Sequence, residues 1–154
     1  MTRSEARETA LQIVFEMGFG SPFAAANWRL SDEGFESLAE QGGVFKLPAD
    51  KESREFIHKL VENVANNADE IDGYIAKYSK GWQINRLSRV CLAVLRLCIC
   101  ELRYMDDAPA AVAINEAVEL SRKYDEDEAP AFVNGVLGAY YRGEHGDQPK
   151  DGEK

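Results

Sequence analysis

Residues Asn85 to Met105 read NRLSRVCLAVLRLCICELRYM. Leu87, Val90, Cys91, Val94, Leu95, Leu97, Cys98, Ile99 and Leu102 put apolar side chains on most of a helical circumference. That pattern predicts a helix buried among other helices. Its longest unbroken apolar run, Val90 to Leu95, falls far short of the roughly 20 residues that span a bilayer. The stretch therefore reads as the central post of an all-α bundle.

Outward from this post the periodicity stays helical. Toward the N-terminus, Ala68 through Ile71, Tyr74, Ile75 and Tyr78 predicts a helix that breaks at Gly81. Before it, Asp50 caps a stripe of Phe56, Ile57, Leu60, Val61 and Val64. Ser21-Pro22 opens another helix carrying Phe23, Trp28, Phe35 and Leu38, which Gly42-Gly43 stops. The first helix has the form of a capping box, Thr2 with Glu5, and ends at Gly18. Beyond the post, Pro109 opens a helix with Val112, Ile114, Ala117, Val118 and Leu120. The last runs from Ala129 to Arg142 with Phe132, Val133, Val136, Leu137 and Tyr140. The expectation is about seven helices in a single domain over residues 1–142, followed by a disordered polar tail over 143–154.

The chain has 154 residues and a formal net charge of −9, which at first sight argues against nucleic acid. The charge is uneven, however. Residues 1–73 hold 7 basic groups against 14 acidic, and residues 105–154 hold 5 against 12. Between them, Lys77, Lys80, Arg86, Arg89, Arg96 and Arg103 face Glu101 alone. This basic middle is either a solvated helix face or a patch for a partner. Arg96 lies on the most apolar helix and, if buried, requires a carboxylate beside it.

Catalytic and metal chemistry finds no support. Cys98 and Cys100 are two apart on one helix, about 200° around it, so they cannot chelate one metal or close a disulfide there. With Cys91 they read as small buried hydrophobes. His58 and His145 have no companions of a triad or zinc site, and no P-loop occurs. No cofactor is expected. The N-terminus has no apolar core for a secretion signal, and the odd number of cysteines is no disulfide framework, so a cytoplasmic protein is expected. Phe132 stands in the first turn of a helix, just after the acidic run Asp125-Glu126-Asp127-Glu128. It is either a core residue or a stacking platform for an unpaired base, and periodicity does not choose.

Val112-Ala113-Ile114-Asn115-Glu116-Ala117-Val118-Glu119-Leu120, followed by Phe132-Val133-Asn134-Gly135-Val136-Leu137, resembles the NusB family of bacterial transcription antitermination factors. The likeness runs from about residue 3 to 140 and is weakest between Gly20 and Asp50. It implies an all-α fold of two packed three-helix subdomains and no catalytic activity. It also implies binding of boxA, a short single-stranded RNA element, as a heterodimer with the ribosomal protein NusE. The assembly would act on the RNA polymerase elongation complex in ribosomal RNA operons, with a homodimer as a further possibility and no membrane involvement.

On this resemblance the RNA-binding residues are Arg3, Arg7, Tyr124, Phe132 and Asn134, and the partner-binding residues are Phe15, Arg86 and Cys91. Asn115 and Glu116 read rather as links between helices. Only Arg3 and Arg7 remain of the family's arginine-rich N-terminal stretch, Asp125 replaces a small residue, and Cys91 an acidic one. These departures keep a second reading open, a NusB-type scaffold with weak or lost RNA binding. A third arises because certain RNA cytosine methyltransferases carry an N-terminal NusB-type domain; it requires a cofactor domain that residues 1–154 do not contain.

Overall fold

The computed structural model describes residues 2–17, 50–79 and 87–146. Among them it is all-helical, in the order α1 (Arg3–Met17), α2 (Lys51–Asn66), α3 (Ala68–Tyr78), α4 (Arg89–Tyr104), α5 (Ala110–Tyr124) and α6 (Ala129–His145). The helix expected between Ser21 and Gly43 lies outside the described residues. The chain forms two compact units, Met1–Ala68 and Asp69–Lys154.

In the first unit, α1 packs against α2. The capping box forms: the Thr2 amide donates to Glu5 Oε1 at 2.9 Å and the Glu5 amide to Thr2 Oγ1 at 3.0 Å. Ala6, Ala10, Ile13 and Val14 meet Phe56, Ile57, Leu60, Val61 and Val64 in the buried core of this unit. Asp50 caps α2 by accepting from the Ser53 amide at 3.0 Å.

In the second unit, α4 packs against both α5 and α6, and these two pack on each other. Cys91, Ala93 to Cys100 and Glu101 are all buried, as the nearly all-round apolar pattern requires. The helix begins at Arg89, because the Ser88 hydroxyl accepts from the Cys91 amide at 2.9 Å and so sets the cap there; Asn85, the expected start, lies outside the described residues. At the other end of the unit, α6 runs on past the expected boundary to His145. The Tyr78 hydroxyl and Lys77 Nζ both donate to Glu144 Oε2, at 2.6 and 3.0 Å, and hold the extra turn. Gly146, at φ 82°, terminates it in a conformation that suits glycine.

Candidate nucleic-acid interface

The aromatic residues singled out in the sequence lie at the corner between α5 and α6. Helix α5 ends with Arg122 and Lys123 in its last turn, where cations complement the dipole. Tyr124 follows, 38% exposed, with Lys123 Nζ 5.4 Å from its ring centroid. Asp125 turns the chain. Its Oδ1 accepts from the Glu126 amide at 2.8 Å and its Oδ2 from the Ser88 hydroxyl at 2.7 Å. Ser88 thus caps α4 and ties the acidic loop to it through one oxygen. Glu126, Asp127 and Glu128 are exposed.

Helix α6 then opens with buried Pro130, and the Phe132 amide donates to the Glu128 carbonyl at 3.3 Å. Val133, Val136, Leu137 and Tyr140 face the core. Phe132 falls at the margin of that face, half-buried, while Asn134 and Gly135 are exposed. A Cβ at Gly135 would meet nothing within 4 Å, so packing within the fold does not call for glycine there. The corner therefore presents an aromatic edge with the bare backbone of Gly135 one turn on along the same side of α6, while Asn134, two residues from Phe132, projects about 200° around the helix. Asn115 is exposed on α5, whereas Glu116 is half-buried.

The remaining predicted residues are dispersed. In the first unit, Arg3 is exposed and its guanidinium carbon lies 4.0 Å from the centroid of Phe56. Arg7 is only 3% exposed, because the register that turns Ala6, Ala10 and Val14 inward carries it inward too. Phe15 is 37% exposed. In the second unit Cys91 is buried, and desolvation pushes its thiol up to about 12, with the Asp125 charge adding to the effect. Arg7 is thus withdrawn from the surface on which the resemblance placed it, and the burial of Cys91 agrees with its reading as a small hydrophobe and not with the partner contact that the resemblance implied. Arg86 lies outside the described residues.

Three cations of the basic middle, Lys77, Arg96 and Arg103, form ion pairs; Lys80 and Arg86 lie outside the described residues. Arg96 is buried and donates to Asp72 through Nε and Nη2, both at 2.8 Å, which supplies the carboxylate expected for it. Arg103 pairs with Glu70 at 3.1 Å and lies over the Tyr74 ring, and Lys77 pairs with Glu144. These cations are matched inside the second unit and form no open phosphate surface. Sequence reasoning missed the tyrosines that join them. Tyr140 is fully buried, edge-on to Tyr74 and Tyr78 with centroids 5.3 and 6.0 Å apart, and Tyr104 donates to Glu70. Their helical spacing marks them only as apolar positions. Among the described residues no group of three or more His, Cys, Asp or Glu could hold a metal ion, and no helix is long and apolar enough to cross a membrane.

The NusB family model matches residues 4–142. The chain belongs to the NusB family. A transcription antitermination protein NusB from Alkaliphilus oremlandii is 39% identical over 140 residues, 91% of this chain and 93% of that protein. Among solved structures, NusB of T. maritima superposes with a TM-score of 0.72 at 27% identity, over 92% of each chain. A chain from a crystal structure of the antitermination factors NusB and NusE with double-stranded RNA gives 0.69 at 29% identity, over 92% of this chain and 96% of that one. The chain is thus a NusB-type antitermination factor in an all-α fold.

Proposed function

We propose that this NusB family member binds boxA-type single-stranded RNA as a heterodimer with NusE, without catalysing a reaction. We further infer that it acts in the cytoplasm on the RNA polymerase elongation complex in ribosomal RNA operons. The observation that carries the reading is the α5–α6 corner, where half-buried Phe132 has exposed Gly135 one turn on along the same side of α6. A half-buried ring is held in one orientation and still offers a face, which is what stacking an unpaired base requires. Asn134 can hydrogen-bond a base edge, and the bare backbone at Gly135 lets a strand approach closely. A solved relative that contains NusB, NusE and RNA together supports the choice of partners.

The test is a titration of labelled boxA-type RNA with this chain, with and without NusE. Phe132→Ala is expected to lower affinity in the presence of NusE by roughly 1–3 kcal/mol. Unchanged affinity would remove the stacking role. One set of observations favours the scaffold alternative: buried Arg7, the ion-paired Lys77, Arg96 and Arg103 and the exposed acids Glu126 to Glu128. A pull-down that recovers NusE but no boxA RNA would decide for that reading.

A further inference from the structure

We propose that Phe56 is a positioning residue for RNA binding: its ring is the platform that presents the Arg3 guanidinium to the RNA backbone. The inference rests on the RNA-binding function proposed above. Arg3 occupies the first position of α1, where the helix dipole opposes a cation, so its charge does not serve the helix. The reciprocal Thr2–Glu5 bonds fix the backbone around it and leave only the side chain to be ordered. Phe56 orders it. The ring is 7% exposed and held in the α1–α2 core, with the guanidinium carbon 4.0 Å from its centroid.

Stacking engages the flat face of the guanidinium and leaves its in-plane N–H fork for a bidentate phosphate contact. The cations Lys77, Arg96, Arg103 and Arg122 each have a carboxylate within 4 Å, whereas Arg3 makes no ion pair with a described residue. Local charge alone would not draw RNA here. Asp50 and Glu52 line the same shallow pocket as Arg3 and Ser53, so among its described residues acids outnumber the one arginine. Binding at this point depends on a guanidinium held in a set geometry, and Phe56 supplies it.

The experiment titrates the labelled RNA of the preceding test against the chain with NusE, at two salt concentrations. It uses Arg3→Ala, Phe56→Leu, the double variant and Phe56→Tyr, each checked for folding by its thermal midpoint. Arg3→Ala is expected to weaken binding roughly three- to tenfold and to reduce the salt slope by about one. Phe56→Leu keeps the apolar volume but loses the aromatic face, and is expected to weaken binding in the Arg3 background only. Phe56→Tyr keeps the face and is expected to bind as the parent does. The proposal is overturned if Phe56→Leu leaves affinity unchanged, or lowers it equally in the Arg3→Ala background, which marks a merely structural role. It is overturned alone if Arg3→Ala is silent while Phe132→Ala weakens binding. If the parent chain with NusE binds no RNA, the proposed function itself fails.

Discussion

Arg96 sits beneath the surface of α4 with both arms of its guanidinium on Asp72. A buried charge left without its partner is far more costly than the pair is favourable. Asp72→Ala should therefore destabilise the protein by about 3 kcal/mol in urea unfolding, near the low end for buried pairs because Asp72 is itself partly exposed. Arg96→Met should cost less, since the remaining carboxylate can turn to water. Two other carboxylates set a pH response. Glu70 is held below its ordinary 4.5 by the Tyr104 hydroxyl and by Arg103, and Glu144 by the Tyr78 hydroxyl and Lys77. A depressed carboxyl contributes stability that is complete above its unfolded value and is lost as pH falls through the folded one. Unfolding midpoints should thus be flat from pH 7 to about 5 and decline below the ordinary glutamate range. A Glu70→Gln variant should show a shallower decline.

At the scale of the element, the last turn of α6 is decided by its neighbour α3. A Cβ at Gly143 would stand 2.1 Å from the Tyr78 hydroxyl and 2.7 Å from its ring, whereas one at Gly73 in α3 would meet nothing within 4 Å. Both glycines lie within helices, so replacement by alanine gains similar helix propensity, up to about 1 kcal/mol. Only at Gly143 must the tyrosine swing aside and give up Glu144. Gly73→Ala should raise the thermal midpoint, and Gly143→Ala should fall short of it by about 1 kcal/mol, the net worth of that hydrogen bond. Equal gains for the two variants would show that the Tyr78–Glu144 contact contributes nothing to stability. The corner between α5 and α6 is decided in the same way, by Ser88 of another segment reaching Asp125.

For the whole molecule, a net charge of −9 with Lys77, Arg96 and Arg103 already paired leaves little to attract a phosphate backbone. The chain alone should bind boxA-type RNA weakly. On the proposed function, adding NusE should bring both affinity and most of the salt dependence, because the phosphate contacts that release counterions would come from that partner. Nanomolar binding by the isolated chain at physiological salt would contradict this.

The amino-acid sequence by itself determined the six described helices and the family. Helical periodicity and end signals such as Thr2–Glu5, Asp50 and Pro109 act within a few residues, so they are legible without the fold. The demand of Arg96 for a carboxylate was equally legible, since burial of a charge follows from the apolar helix around it. What the tertiary structure alone decided is which groups meet. Asp72 answering Arg96, Ser88 holding Asp125, Tyr78 extending α6 and Phe56 lying under Arg3 join residues 24 to 66 positions apart. It also decided that Arg7 is buried, which the family likeness did not signal. Periodicity sorts a residue onto a face, but whether that face is open, and to which partner, depends on what long-range packing brings against it.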